Sequence, residues 1–237
     1  AKGFVLQGDP LLAERSLLTA KQYGNFPTLQ YELAKARIAA GFYRDAADEL
    51  KTSFSVKDGL IKTSIGGRFA IEANNFTELL GLERQASIFQ PNAADDAVKA
   101  EKLKNLLNFV QNLEAENADE TNLVAAADEF IKGDDQMKTH RQIFVANQLL
   151  EKQKALPKVL EITKDAVKGV DAALDVKNSS SAVLADEIYE PRKLATAKGE
   201  TLLVPELPRQ TLAAILRGRI EEISGWALFR QEKNDEE

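Results

Sequence analysis

The sequence contains no cysteine and only one histidine among its 237 residues. The absence of cysteine excludes disulfide bonds, thiolate metal sites and a cysteine nucleophile. The single histidine, His140, leaves a zinc site or a histidine-based catalytic triad without the further residues that such sites need. We therefore interpret His140 as a structural or exposed residue, and we expect neither a metal nor a cofactor.

Long apolar runs are also missing, so the sequence predicts no segment that spans a bilayer. This favours a soluble protein of the cytoplasm or the periplasm, and no feature of the sequence decides between the two. The net charge is −6 and the pI is about 5.1. Because nucleic-acid-binding surfaces are usually basic, this balance argues against a nucleic-acid partner.

Helix-forming residues are abundant: alanine, leucine, glutamate, lysine and glutamine fill most windows of the sequence. Prolines suited to the first turn of a helix and glycines suited to helix ends separate these windows. The stretch KNSSSA, residues 177–182, is the most linker-like. The predicted helices cover residues 10–22, 26–40, 43–56, 62–74, 76–89, 95–116, 119–132, 135–153, 156–174, 181–197 and 208–230.

A repeat is visible when residues 7–20, QGDPLLAERSLLTA, are compared with residues 40–53, AGFYRDAADELKTS. A glycine, an alanine and a leucine occupy matching positions in the two stretches. Each pair is separated by the same number of residues as Gly8 and Gly41. A further step of the same length reaches a weaker third copy, NNFTELLGLERQA. The matched positions are Gly8, Gly41 and Asn74; Ala13, Ala46 and Leu79; Leu17, Leu50 and Glu83; and Ala20, Ser53 and Ala86.

This pattern resembles the tetratricopeptide repeat, whose unit of about 34 residues contains helix A, a tight turn and helix B. The resemblance is clearest over residues 1–90 and patchy over residues 120–237. The chain departs from the family pattern at Arg37, where the family usually has an aromatic residue. The residues that match in the second copy are Leu33 and Ala34 in helix A, Gly41 at the turn, Tyr43 after it, and Ala46 and Leu50 in helix B.

The resemblance implies an all-α fold, a right-handed superhelix of antiparallel helical hairpins. It implies a single domain over residues 1–237, with an irregular helical insertion at residues 92–118. Both ends of the chain are expected to cut through repeats, so that exposed repeat ends favour self-association or coverage by a partner. The alternative interpretation is an irregular helical bundle.

By the same resemblance, the function is that of a non-catalytic scaffold that binds a protein or an extended peptide in a concave groove. Charge-assisted hydrogen bonds would hold a carboxylate of the peptide there. The alternatives are an accessory helical domain of a larger enzyme or of an envelope or secretion assembly, and an enzyme built on a helical toroid. The groove positions of the family map onto Thr28, Tyr31, Lys35, Ser64, Arg68 and Glu72.

The last predicted helix carries two further features. Several arginines follow one another along it, and we interpret them as a solvated face with ion pairs, including a pair between Arg217 and Glu221 four residues apart. Trp226 and Phe229 share one face, and we interpret them as core residues that pack against the next repeat; the alternative is an exposed pair that binds a peptide. The arginines are Arg209, Arg217, Arg219 and Arg230.

Overall fold

The computed structural model describes residues 4, 8–65, 69–82 and 93–236. Most of these residues are α-helical, which confirms the predicted helical character. The chain divides into two compact units. Unit 1 comprises Ala1–Gln111 and Tyr189–Leu202, and unit 2 comprises Asn112–Ile188 and Leu203–Glu237. Each unit is described by itself below.

The elements are numbered in chain order within the described residues. The first part of the chain contains α1 (Pro10–Lys21), α2 (Pro27–Ala39), α3 (Tyr43–Lys51), β1 (Phe54–Lys57), β2 (Leu60–Ile65), β3 (Phe69–Ala73), α4 (Phe76–Leu79) and α5 (Ala93–Glu114). The second part contains α6 (Glu120–Ile131), α7 (Lys138–Glu151), α8 (Leu156–Ala166), α9 (Val170–Ala173), α10 (Ser179–Val183), α11 (Tyr189–Ala197) and α12 (Arg209–Glu236).

The turn between α2 and α3 lies at Gly41, as the sequence predicts. Gly41 has a φ of +83°, a left-handed conformation that glycine adopts at little cost. The Phe42 N–H donates a 2.9 Å hydrogen bond to the carbonyl oxygen of Arg37, which closes the helix end in a Schellman motif. The chain can therefore reverse within a short turn, and α2 and α3 pack against each other.

The repeat spacing is visible in the helix starts of unit 1. Pro10, Tyr43 and Phe76 begin α1, α3 and α4, and the two intervals between these starts are equal. Ala13 and Ala46, which match each other in the repeat, are both 0% exposed. Small side chains at these positions allow close helix packing, which larger side chains would prevent.

A three-stranded antiparallel sheet, ordered β1-β2-β3, replaces the helix that we predicted over residues 62–74. The all-α prediction is therefore wrong at this place. Asp58 and Gly59 form the two-residue turn between β1 and β2, and both have positive φ. Such an Asp-Gly turn matches the twist of a hairpin, and the β-branched Val56 and Ile61 pair across it.

The sheet and α4 contribute to an aromatic core in unit 1. Phe76 is fully buried, and its ring centroid lies 5.0 Å from that of Tyr31 and 5.1 Å from that of Phe54. Ile61 from β2 is also 0% exposed. The face of α2 that carries Tyr31 is thus covered by residues of the sheet region.

Unit 2 is built around α7, which is buried on nearly every side. A helix that buries residues all round occupies the centre of its unit. One face of α12 packs on α7 and α8. The buried residues of that face follow helical spacing, and they are Leu212, Leu216, Ile220, Ile223 and Ala227.

The stretch KNSSSA does not form a linker. Asn178 takes a left-handed conformation just before α10, and Ser180 is 0% exposed. The Ser180 hydroxyl donates to Glu206 Oε2 at 3.0 Å and accepts from the Leu207 N–H at 2.7 Å. These hydrogen bonds satisfy a buried polar side chain, and they attach the segment before α12 to α10.

Two of the predicted long helices are divided. The helix predicted over residues 156–174 is interrupted by a 3₁₀ turn, Val167–Gly169. A Cβ atom at Gly169 would clash with the Thr139 hydroxyl, so a larger residue there would require the Thr139 side chain to move. The helix predicted over residues 181–197 is divided into α10 and α11.

Candidate functional site

The predicted groove residues on α2 do not line an open groove. Thr28 is half-buried, whereas Tyr31 and Lys35 are 1% and 3% exposed. The Lys35 ammonium lies 5.1 Å from the centroid of the Tyr31 ring and 3.3 Å from a Glu32 carboxylate oxygen. Because the sheet region covers this face, Tyr31 and Lys35 belong to the packing of unit 1 and offer no surface to a ligand.

The other three predicted groove residues do not share a helix. Ser64 lies on β2 and Glu72 on β3, and Arg68 lies outside the described residues. Glu72 is exposed and pairs at 2.7 Å with Lys62, its partner residue on β2. The structure therefore places Ser64 and Glu72 on strands of the sheet rather than on a helix A face.

Arg37, the departure from the repeat pattern, is buried in a set of ion pairs. Its Nε donates to Glu14 Oε1 at 2.9 Å, and its Nη1 donates to Glu49 Oε2 at 3.1 Å. Nη1 also donates to the Asp45 carbonyl oxygen at 3.1 Å. The guanidinium of Arg37 thus connects α2 to α1 and α3 by hydrogen bonds.

A second guanidinium reaches the same place from α11, far along the chain. Arg192 Nη2 donates to Glu14 Oε1 at 2.6 Å and lies 3.6 Å from Asp45 Oδ1. Its guanidinium carbon lies 3.5 Å from the centroid of the Phe42 ring. We call the six charged residues that meet here the buried ionic cluster. They are Glu14, Lys21, Arg37, Asp45, Glu49 and Arg192.

The two arginines act differently on the carboxyl groups of the buried ionic cluster. Burial raises the pKa of both Glu14 and Asp45, because it disfavours their charged forms. For Glu14, the charges and hydrogen bonds of Arg192 and Arg37 outweigh burial, so its pKa is lowered overall. For Asp45, burial prevails and the pKa is raised. Glu14 is therefore the carboxylate that the two arginines hold most firmly ionised.

An open cleft of about 610 Å³ lies within unit 2. It is bounded by the end of α6, the loop to α7, the first half of α7, and α8 with the turn after it. Buried Ile131 and Ile162 form its apolar part. We call this cleft the lysine groove, because five lysines and four carboxylates line it. These are Lys132, Lys138, Lys158, Lys164 and Lys168, with Asp128, Glu129, Glu161 and Asp165.

Lys158 connects the two sides of the lysine groove. Its ammonium lies 2.7 Å from Asp128 Oδ1 on α6 and 2.8 Å from Glu161 Oε1 on α8. Burial lowers the pKa of Lys158, but the hydrogen bonds to Asp128 and Glu161 outweigh it and raise the pKa overall. The Lys158 ammonium therefore bridges α6 and α8 through two ion pairs.

Asp165 is the second residue of the lysine groove that has several polar partners. It accepts a 2.9 Å hydrogen bond from Gln142 Nε2, and Lys168 and Lys138 lie 3.2 Å and 3.8 Å from its oxygens. The pKa of Asp165 is lowered, first by the hydrogen bond from Gln142 and then by that from Lys168. By contrast, the exposed Lys164 makes no hydrogen bond or ion pair with the described residues.

The sequence does not by itself predict this groove, although one signal for it exists. Lys158, Glu161, Asp165 and Lys168 recur every three or four residues, which places them along one side of a helix. Such a charged stripe is typical of any solvated helix face. That it borders a cleft depends on α6, which is distant in the sequence from α8.

His140 is buried, which supports the structural interpretation. Its Nε2 lies 2.9 Å from the Ala173 carbonyl oxygen, and since a carbonyl only accepts, Nε2 carries the proton. Burial lowers the pKa of His140 to about 4. The imidazole is therefore neutral at pH 7 and connects α7 to α9.

Two predictions for the last helix are corrected. Arg217 pairs with Asp171, 3.4 Å away, rather than with Glu221. Trp226 and Phe229 are 51% and 47% exposed, so they are not core residues of unit 2. Their rings meet edge to face at a centroid distance of 5.8 Å on the outer side of α12. The buried side of that helix is already filled by the aliphatic residues described above.

The described residues contain no group of three or more histidine, aspartate or glutamate side chains arranged to hold a metal ion. Nor does any helix in the described part of the chain combine the length and apolarity that a membrane crossing requires. Comparisons of the chain with models of protein families, with curated proteins and with solved structures find no match.

Proposed function

We propose that this chain is a non-catalytic binding scaffold that holds a peptide or protein segment in the lysine groove. The observation that carries the proposal is the shape and lining of that groove. It is open, it has an apolar part at Ile131 and Ile162, and charged side chains surround that part. Peptides bind well to such a surface, because apolar contacts supply affinity while polar groups fix the register.

The charges of the groove favour a carboxylate on the ligand. Each of the four carboxylates lies within ion-pair distance of a groove lysine. Lys164 is the fifth lysine and has no partner among the described residues. The charge that remains available to a ligand is therefore positive. An aspartate or glutamate side chain, or the C-terminal carboxylate of a peptide, would form a charge-assisted hydrogen bond there.

The helical hairpins are proposed to be tetratricopeptide-like repeats of a right-handed solenoid. The equal spacing of the helix starts at Pro10, Tyr43 and Phe76, with buried alanines at matching places, supports this proposal in unit 1. In unit 2, consecutive helices α6, α7 and α8 are joined by short loops, and α6 and α8 each pack on α7.

The proposal is tested with a library of random peptides that have free carboxyl termini, selected for binding to the whole chain. The dissociation constant of a selected peptide is then measured by calorimetry for the wild-type chain, Lys164→Glu and Lys198→Glu. Lys198 is an exposed lysine of unit 1 and serves as the matched control. We expect Lys164→Glu to weaken binding about tenfold, which corresponds to about 1.4 kcal/mol.

Lys198→Glu should leave the affinity unchanged. The same peptide with its carboxylates converted to amides should bind the wild-type chain as weakly as the unmodified peptide binds Lys164→Glu. Equal affinities for the two lysine variants would show that the selected peptides do not use the lysine groove, and the proposed site would be wrong.

A further inference from the structure

Helix α11 is attached to the rest of unit 1 by two polar side chains. Tyr189 and Arg192 are the buried residues of this helix, and they lie three residues apart on one face. The Tyr189 hydroxyl donates a hydrogen bond to the Asp48 carboxylate. Leu194, by contrast, is 60% exposed. This short helix therefore has little apolar burial to keep it in place.

Arg192 occupies a pocket formed by α1 and by the beginning of α3 with the residue before it. Glu14 on α1 accepts its hydrogen bond, Asp45 on α3 lies close by, and the Phe42 ring covers the face of the guanidinium. We call this the guanidinium pocket. The fit is incomplete, because the buried Arg192 Nε has no hydrogen-bond partner in the described part of the chain.

The charges around the guanidinium pocket require a cation in it. The buried ionic cluster contains three carboxylates and three cations, so it is balanced while Arg192 is present. If Arg192 leaves, Lys21 and Arg37 face three carboxylates, two of which bordered the pocket. A buried carboxylate without a partner is costly, so the empty pocket attracts another positive group.

The Phe42 ring decides which kind of cation fits. A planar guanidinium stacks on an aromatic face and donates several hydrogen bonds in one plane, whereas an ammonium group is compact and strongly hydrated. At 3.5 Å from the ring centroid, the guanidinium carbon of Arg192 lies at stacking distance. An arginine should therefore be preferred over a lysine.

We propose that this pocket is a binding site for an arginine side chain of a partner protein, and that α11 fills it from within the chain until the partner displaces it. The partner segment carries an arginine three residues after a tyrosine, as α11 does with Tyr189 and Arg192. Helix α11 is suited to release, because little of its apolar surface is buried and an incoming arginine restores the ion pairs that Arg192 gives up. This site lies in unit 1 and is independent of the lysine groove.

The first experiment uses the whole chain with Arg192→Ala and a synthetic peptide that copies residues 186–200. A second peptide has citrulline in place of Arg192, which keeps the shape of the side chain and removes its charge. We expect the arginine peptide to bind the variant and the citrulline peptide to bind about 30-fold more weakly, since the charge-assisted hydrogen bond to Glu14 is lost. Equal affinities, or no binding to a folded variant, would overturn the proposal.

The second experiment uses the wild-type chain, so it does not depend on the folding of the variant. Hydrogen exchange is followed at the amides of α11 and α2, first alone and then with each peptide at about 1 mM, the scale of the effective concentration of a tethered segment. We expect α11 to exchange faster than α2, and faster still with the arginine peptide but not with the citrulline peptide. If α11 is as protected as α2 and neither peptide changes its exchange, the pocket is a fixed structural contact and the proposal is wrong.

Discussion

Single buried residues in unit 1 show how small changes of side chain decide the packing of a helical hairpin. Ala46 is 0% exposed where α2 and α3 pack, and a larger residue there has no space. Arg37 is 6% exposed and would be costly without its partners, yet it forms hydrogen bonds to Glu14 and Glu49. Helices therefore pack closely in two ways here. At Ala46 the side chain is small, and at Arg37 a large side chain is tolerated because its charge is paired.

The close approach at Ala46 gives the first prediction. Ala46→Leu should lower the free energy of unfolding by about 1–3 kcal/mol, because an overpacked core forces the helices apart. Lys51→Leu, on the exposed side of the same helix, should change it by less than about 0.5 kcal/mol. Urea unfolding of the two variants measures the difference. A similar loss at both positions would contradict the helix register.

The buried imidazole of His140 gives a prediction about pH. Its pKa is about 4 in the folded chain, below the usual value of 6.5, so the unfolded state binds more protons between these values. Stability is therefore complete above pH 6.5 and is lost as the pH falls toward 4. Between pH 7 and pH 5 the contribution of this residue should fall by about 2 kcal/mol.

The measurement for His140 is the difference in unfolding free energy between the wild-type chain and His140→Gln over this pH range. Glutamine keeps a donor for the Ala173 carbonyl oxygen but does not titrate. The difference between the two proteins should narrow as the pH decreases. A difference that stays constant from pH 7 to pH 5 would mean that His140 is not buried in its neutral form.

At the level of elements, local sequence signals predict the helices of unit 1. The sheet follows from a different kind of local pattern, one typical of strands. Pro27 and Gly41 mark the ends of α2, and the structure places the helix between them. Residues 54–65 contain alternating β-branched side chains around Asp58 and Gly59, a pattern typical of a hairpin. The helix predicted over residues 62–74 overlaps this pattern, and the structure has strands there instead.

The candidate site could be predicted only in part, because its contacts join distant parts of the sequence. Arg37 departs from the repeat pattern in the sequence itself, but Arg192, which shares the Glu14 carboxylate with it, lies 178 residues from Glu14. The lysine groove likewise needs α6 opposite α8. Periodicity within one helix indicates which side chains share a face, but it does not indicate what lies across from that face.

Replacing each of two glycines by alanine should change the stability of the chain in opposite directions. Gly59 has a φ of +76° in the β1–β2 turn, so Gly59→Ala should destabilise the chain by about 1–2 kcal/mol. Gly218 lies inside α12, where a Cβ would meet open space. Gly218→Ala should stabilise the chain by about 0.5–1 kcal/mol, since alanine favours helix. Thermal unfolding of both variants measures these effects. A shift of the melting temperature in the same direction in both variants would contradict the turn at Gly59 or the helical position of Gly218.

At the level of the whole molecule, the chain does not complete unit 1 in one continuous stretch. It leaves this unit after Gln111 and returns to it at Tyr189–Leu202. Helix α11 thus supplies the last cation of the buried ionic cluster from a late part of the sequence. Unit 1 is for this reason unlike a simple repeat array, in which each repeat contacts only its sequence neighbours.

This discontinuity predicts the behaviour of a fragment. Residues 1–111 alone lack Tyr189 and Arg192, so Glu14 and Asp45 lose a partner. Joining residues 186–202 to this fragment by a flexible linker should raise its free energy of unfolding by about 2 kcal/mol, the scale of a hydrogen bond to a charged group. The same fusion with Arg192→Ala is the control and should show less than half of the gain. Equal stability of fragment and fusion would mean that α11 adds nothing to unit 1.

The late arrival of Arg192 also has a consequence for synthesis on the ribosome. About 150 residues separate Asp45 from Arg192, and translation at about 5–20 residues per second takes roughly 7–30 s to cover that distance. During this interval α1, α2 and α3 are already available to fold, and Arg37 is present beside Glu14 and Asp45 while Arg192 is still missing. A nascent chain in this interval therefore carries the carboxylates of Glu14 and Asp45 before their partner Arg192 has been made. A basic segment of a chaperone or of another nascent chain would meet these carboxylates most readily at that stage.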